Sequence, residues 1–251
     1  MQLICLPIVS VRQKPSNRSE LLTQEVLGRT VDVIERRRGW LRCRLSDGYE
    51  GWIPERAACE DALFSPTHIV VGRFAGIDLG GGDRLTIPMG SLVMVGRQGK
   101  MPRVRLPDGS QGRIESGVLR SLRRFPLAVK AFDRVIREVM GTPYIWGGKS
   151  TFGFDCSGLV QFVYSFIGVN LPRDSKDQAR IGQKVTSLSR SRALDLLFFG
   201  KQTVDHVAIH LGNMLILHAS GWVKIESLSR SDARFRRDLL ESLVVIRRVI
   251  A

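Results

Sequence analysis

Cys156, His206 and His218 are the residues of this chain whose types and setting can break a covalent bond. Cys156 stands where a glycine-rich stretch, Tyr144-Ile145-Trp146-Gly147-Gly148 and then Gly153-Phe154-Asp155-Cys156-Ser157-Gly158, runs into the apolar Leu159-Val160. A thiol attacks a carbonyl as its thiolate, and a helix N-terminus beside an imidazole favours that anion. Asp155 is a natural N-cap, which puts Cys156 in the first helical turn, where unpaired backbone N–H groups can also hold an oxyanion. The usual fate of a cysteine is inert burial. Four nearby glycines and the polar Asp-Cys-Ser-Gly start argue for the nucleophile instead.

His206 begins an alternating segment in which His206, Ala208 and His210 share one face of a strand. That face is expected to look into a cleft, with His206 as the base for Cys156. His218 ends the next strand candidate and is placed to fix the tautomer of His206. His210 reads as a surface or satisfied histidine, and His68 as structural. His206 and His210 are four apart, but a zinc peptidase needs such a pair on a helix with glutamate after the first histidine. Val207 stands there, so no metal or other cofactor is expected.

The elements that must position these groups follow from periodicity. Residues 127–140 have helical spacing (Val129, Phe132, Val135, Ile136, Val139), stopped by Gly141. A loop over 142–155 leads to a second helix over 155–167, with Leu159, Phe162, Val163 and Phe166 on its apolar face and Gly168 at its end. Strands are expected over 194–199, 204–211, 214–218 and 243–249. A helix pair followed by an antiparallel sheet is an α+β arrangement.

Upstream lies an internal repeat. Arg42-Cys43-Arg44-Leu45-Ser46-Asp47-Gly48-Tyr49-Glu50-Gly51-Trp52-Ile53 aligns with Arg103-Val104-Arg105-Leu106-Pro107-Asp108-Gly109-Ser110-Gln111-Gly112-Arg113-Ile114. Both copies read strand, Asp-Gly turn, strand, and each follows another strand candidate, over 31–34 and 92–95. The pattern predicts two small β-barrels, over 1–62 and 63–122, ahead of a catalytic unit over 123–251. They resemble bacterial SH3-like domains. Tyr49 and Trp52 in the first copy are replaced by Ser110 and Arg113 in the second. The first barrel is therefore expected to contribute to the substrate cleft and the second to be a spacer. Trp52 is expected to close its barrel; Tyr49 fits closure and ligand contact equally.

Composition sets bounds. The chain has 251 residues, 43% of them hydrophobic and 25% charged, as in soluble globular proteins. No apolar run approaches the ~20 residues of a membrane helix. The formal charge of +14 draws acidic ligands. Its basic residues are scattered, so no nucleic-acid site is expected. Four cysteines do not form a disulfide framework. Cys5 and Cys43 read as small buried hydrophobes, and Cys59 is left open. A cytoplasmic location is expected, with export after removal of a leader as the alternative. Oligomeric state is left open, with a monomer as the default.

Residues 125–251 resemble the NlpC-type cysteine peptidases, a papain-like family that cuts peptides of bacterial peptidoglycan. The matching stretches are Gly141 to Gly148, Gly153 to Val160, Leu171-Pro172-Arg173-Asp174-Ser175, Asp195 to Phe199, His206 to Gly212 and His218-Ala219-Ser220. Leu194 stands where that family usually has glycine, and Ala208 and His210 where glycine and tyrosine are common. The resemblance implies a papain-like catalytic domain with Cys156 as nucleophile, His206 as base, His218 as orienting residue and Tyr144 near the oxyanion. Joined to SH3-like barrels, the unit is similar to γ-D-glutamyl-L-diamino acid endopeptidases that recycle muropeptides bearing a free N-terminal L-alanine. That likeness implies an amine-binding set of Tyr49, Trp146, Asp155, Ser157 and Ser175 with one barrel glutamate, Glu20 or Glu25. Peptidoglycan-derived peptides are the expected partners. The alternatives are a remodelling endopeptidase on intact wall, a non-catalytic wall-binding protein and, last, an acyltransferase.

Overall fold

The computed structural model describes residues 1–96 and 102–250. Its first sheet takes β1 (Gln2–Ile4), β2 (Ile8–Arg12), β3 (Leu21–Val26), β4 (Thr30–Arg37), β5 (Trp40–Arg44), β6 (Glu50–Pro54) and β7 (Ala58–Cys59). The second takes β8 (His68–Val70), β9 (Phe74–Gly80), β10 (Asp83–Pro88), β11 (Leu92–Gly96), β12 (Arg103–Arg105), β13 (Gln111–Ser116) and β14 (Leu119–Ser121). The sheets have one topology twice: β3-β2-β6-β5-β4-β1-β7 and β10-β9-β13-β12-β11-β8-β14.

The repeated Asp-Gly-x-x-Gly explains the match. Gly48 and Gly109 turn the chain at φ +82° and +86°, which side chains rarely adopt. A Cβ on Gly51 would lie 2.5 Å from Val11 Cγ1, and one on Gly112 2.5 Å from Ile77 Cγ2, so each second glycine lets two strands close. Between them Leu41, Cys43 and Leu45 alternate inward. Trp52 is buried in its barrel, as expected. Cys5 departs from the sequence reading: it is half-exposed, as is Cys59, because both lie at the last strand pair of the sheet, β1 with β7.

The C-terminal unit places α1 (Phe132–Val139) and α2 (Cys156–Phe166) against a six-stranded antiparallel sheet. Between the helices the short pair β15 (Lys149–Ser150) and β16 (Gly153–Phe154) folds back on itself. After α3 (Ser175–Gln178) come β17 (Gln183–Val185), β18 (Asp195–Phe199), β19 (His206–Gly212), β20 (Leu215–Ser220), β21 (Trp222–Ser227), α4 (Arg237–Glu241) and β22 (Leu243–Arg248). The sheet order is β17-β22-β18-β19-β20-β21. The first helix starts later than its periodicity predicts, after a 3-10 turn over Val129–Ala131.

Both faces of this sheet are covered. Val207, Ile209, Leu217 and Ala219 share a core with α2, while Ala208, Ile216, Leu228 and Leu239 form a second core beneath α4. The expected open face of β19 is thus mostly closed: Ala208 and His210 are buried, and only its His206 end is partly exposed. His218 also lies inside β20 rather than at its end, because the chain turns at Gly221 (φ +75°) and returns as β21.

The second barrel does more than separate its neighbours. The Arg73 backbone N–H donates to Glu138 Oε2 at 2.7 Å. Its guanidinium caps the end of α1, donating to the carbonyls of Glu138 and Met140 and to Thr142 Oγ1. Phe74 packs on Phe152 at 5.0 Å between ring centroids. These contacts grip both ends of the loop that leads into α2.

Candidate active site

Cys156 is the first residue of α2. Asp155 caps the helix, its Oδ1 accepting from the Gly158 N–H at 2.6 Å. Close packing holds the preceding loop over this end: a Cβ on Gly158 would lie 2.2 Å from the Gly148 carbonyl oxygen. Cys156 is 8% exposed. Burial pushes its thiol up to about 11 and the Asp155 carboxylate adds to the rise, while the N–H groups of Val207 and Ser157 and the Arg173 charge pull the other way. Val207 directly follows His206, so the sulfur lies against the start of β19. No hydrogen bond joins that sulfur to an imidazole among the described residues.

His206 Nε2 lies 2.9 Å from His218 Nδ1, and His218 Nε2 lies 2.7 Å from Glu226 Oε2. His206 is pushed down to about 3, first by burial and then by the neighbouring His218 and Arg236. His218 is also lowered, chiefly by burial, against the pull of Glu226. Burial works to raise the Glu226 carboxyl but is outweighed by the His218 hydrogen bond and the Arg236 charge. Glu226 Oε2 also accepts from Arg236 Nη1 at 2.5 Å. Glu226 and Arg236 come from β21 and its following loop, which the sequence reading did not mark as strand and site.

Asp155 and Ser157, expected in an amine-binding set, are tied into a buried network. Arg173, 3% exposed, donates to Asp155 Oδ1 at 3.0 Å, to Asp155 Oδ2 at 2.6 Å and to Ser157 Oγ at 3.0 Å. Its Nε reaches Thr23 Oγ1 of the first barrel at 2.8 Å. Asp155 Oδ2 also accepts from Gly147 N at 2.9 Å. Both carboxylate oxygens are therefore occupied. Arg173 was legible in Leu-Pro-Arg-Asp-Ser as a charged residue beside a proline, without any sign of its partner.

The first barrel supplies the other wall. Tyr49 Oη donates to Asp174 Oδ2 at 3.1 Å, and Trp146 Nε1 donates to Glu20 Oε1 at 3.1 Å. Burial pushes the Tyr49 phenol up to about 12, with Asp174 and Glu20 adding to the rise; two carboxylates thus face one neutral hydroxyl. Of the two barrel glutamates, Glu20 faces the cleft. Glu25 is buried elsewhere, accepting from the Val26 N–H and lying 3.5 Å from Lys149 Nζ. Tyr144 is half-buried near the thiol, its phenol also raised to about 12, first by burial and then by Cys156. Ser175 is half-buried at the start of α3, one residue from Asp174, and its side chain makes no hydrogen bond among the described residues.

His210 lies away from this cleft. It is buried, with Nδ1 3.1 Å from the Arg192 carbonyl oxygen and Nε2 without a partner among the described residues, so it is neither on the surface nor fully satisfied. His68 pairs with Thr67 Oγ1 in the second barrel. Among the described residues, no three His, Cys, Asp or Glu side chains converge as a metal site.

Comparison with known proteins identifies the family. The NlpC/P60 family model matches residues 141–239, and the bacterial dipeptidyl-peptidase Sh3 domain model matches residues 11–57. The Bacillus cereus gamma-D-glutamyl-L-lysine dipeptidyl-peptidase is 31% identical over 231 residues, covering 81% of this chain and 68% of that protein. Dipeptidyl-peptidase 6 of Lysinibacillus sphaericus is 28% identical over 257 residues, covering 93% of each. The crystal structure of an NlpC/P60 family protein from Bacillus cereus superposes with a TM-score of 0.85 over 100% of this chain and 99% of that one, at 23% identity, which shows a shared fold. The family match together with the shared sequence over four-fifths of the chain means that it belongs to the NlpC/P60 family of cysteine peptidases.

Proposed function

We propose that this peptidase cleaves the bond between γ-D-glutamate and a diamino acid in peptidoglycan-derived peptides that carry a free N-terminal L-alanine. The observation that carries the reading is the grouping of two carboxylates, Glu20 and Asp174, around the Tyr49 hydroxyl on the barrel side of the cleft. An ammonium needs such carboxylates and a hydroxyl in a partly dry site. Asp155 and Ser157 support that grouping through Arg173 rather than offering free acceptors. Trp146, largely exposed, reaches it through Glu20, and Ser175 lies at its edge.

The chemistry follows from the two imidazoles. The Cys156 thiol gives its proton to His206 Nδ1 as sulfur attacks the γ-carbonyl carbon. The oxyanion is held by N–H groups at the start of α2 and by the Tyr144 hydroxyl, protonated at neutral pH. The C–N bond breaks, the leaving amine takes the proton from His206, and a thioester remains. Water, deprotonated by His206, attacks that thioester and returns the thiol. The protein is proposed to act in the cytoplasm on released peptides, a reading supported by its cysteine usage.

The test is mass spectrometry of products from L-Ala-γ-D-Glu-diaminopimelate. L-Ala-D-Glu is expected, and none with Cys156→Ala. N-acetylation of the alanine is expected to abolish turnover, and Glu20→Gln to raise KM for the free-amine peptide more than Glu25→Gln does. Turnover of the acetylated peptide at an equal rate would refute amine recognition and favour action on intact wall.

A further inference from the structure

Beyond the acyl half of the substrate, the cleft has a second end. The loop carrying Tyr144 and Trp146 runs between two supports. At one, a Cβ on Gly147 would lie 2.5 Å from the Leu21 carbonyl oxygen of the first barrel. At the other, Tyr144 N donates to the Gly221 carbonyl at 2.8 Å and Pro143 bridges Trp222. Cys156 follows this loop. If the barrel end receives the N-terminal amine, the β21 end receives the leaving diamino acid.

That end is built from one row of side chains. Trp222, Lys224 and Glu226 alternate along β21 and so point to one face. Lys224 stands directly opposite His218 in the register with β20, and Trp222 opposite Ser220. Cross-strand partners share a face at about 5 Å, so the row lies on the face of the two imidazoles. Trp222 is 53% exposed. Lys224 Nζ lies 4.6 Å from the centroid of its ring and 3.3 Å from Glu226 Oε1. The other Glu226 oxygen is engaged by His218 and Arg236. An ammonium has three donors, and Glu226 is the one ionic partner recorded for Lys224 among the described residues.

We infer that Trp222 and Lys224 form the leaving-group subsite and select a diamino acid that ends in a carboxylate. This rests on the proposed peptidase reading. The indole supplies a flat apolar surface for the aliphatic chain, and the ammonium held over its ring meets the distal group. Meso-diaminopimelate carries a carboxylate there beside its amine; lysine carries the amine alone. Lys224 attracts the first and repels the second.

The test compares kcat/KM for L-Ala-γ-D-Glu-meso-diaminopimelate and L-Ala-γ-D-Glu-L-lysine. The unmutated protein is expected to prefer the first by roughly five- to tenfold, the scale of one gained and one repelled surface ion contact. Lys224→Met should lower turnover of the diaminopimelate peptide, raise that of the lysine peptide and erase the preference; Lys224→Arg should retain it. Trp222→Ala should weaken both. Cleavage of both peptides with equal efficiency overturns the subsite, as does an equal loss on both in Lys224→Met, which marks Lys224 as a mere support for Glu226. Failure of the unmutated protein to cleave either peptide overturns the peptidase reading beneath it.

Discussion

His206 Nε2 and His218 Nδ1 lie 2.9 Å apart, so one hydrogen is shared between the two rings. Glu226 can only accept, so His218 Nε2 carries its hydrogen toward Oε2 at 2.7 Å. Both rings are lowered in pKa and neutral at pH 7, with one proton each. His218 Nδ1 is then a bare acceptor, and His206 Nε2 must donate to it. The nitrogen left with a free lone pair is His206 Nδ1, the one that the proposed mechanism uses as base. The chain of control is Glu226, His218, His206.

Glu226→Gln breaks that chain at its source. Glutamine can donate to His218 Nε2 and so stabilise the opposite tautomer in both rings. The expected outcome is a fall in kcat on the order of 10²–10⁴, by analogy with the buried aspartate of serine proteases, with little change in KM. Steady-state kinetics beside nitrogen-15 spectra of the imidazoles would check it. Unaltered tautomers with unaltered kcat would show that Glu226 only fills space.

Cys156 is expected to react as a resting thiol rather than a preformed ion pair. Burial lifts it to about 11 while burial takes His206 to about 3, so neutral forms dominate between. Iodoacetamide alkylation, read at the Cys156 peptide by mass spectrometry, should accelerate about tenfold per pH unit from pH 7 to 9. A fast plateau persisting below pH 6 would instead reveal a thiolate–imidazolium pair.

Acid should destabilise the protein through the same imidazoles. His206 falls from an ordinary 6.5 to about 3 on folding, so across that window the unfolded chain binds the extra proton. Stability is therefore full above pH 6.5 and declines as pH drops toward 3, by up to about 1.4 kcal/mol per unit from this group. His218 acts in the same direction. Urea midpoints at pH 7.5, 6.0 and 4.5 should fall, and fall less in His206→Gln. Parallel declines in the two proteins would assign the acid sensitivity elsewhere.

Much of this arrangement was legible because local pattern and tertiary role coincide. The Asp-Cys-Ser-Gly start of α2 announces a cap with the cysteine in the first turn, and the paired Asp-Gly-x-x-Gly segments announce two barrels of one topology. What stayed hidden was decided by partners distant in sequence. Glu226 has no motif of its own and gains its role by pairing across β20 and β21. Nothing in the neighbourhood of Asp155 showed that Arg173, 18 residues on, would pair with both its oxygens. His210 read as satisfied or exposed because period two does not tell a solvent face from a buried one.

Arg73 gives the second barrel a measurable part in catalysis. Its guanidinium holds the carbonyls of Glu138 and Met140 and the Thr142 hydroxyl, and its own carbonyl accepts from Thr151 Oγ1 at 2.8 Å. Thr142 and Thr151 bracket Tyr144, Trp146 and the glycines that pack on α2. Arg73→Ala removes the grip at the Thr142 end and leaves carbonyls at the end of α1 without their donor. Because small misplacements near the reacting atoms are costly, kcat/KM should fall on the order of tenfold or more, although Arg73 belongs to a different domain from Cys156. Arg73→Lys should restore little, since one ammonium cannot reproduce the forked set of bonds. Kinetics of both variants, with urea midpoints to separate misplacement from unfolding, would check this. Full activity in Arg73→Ala would return the second barrel to the role of a spacer.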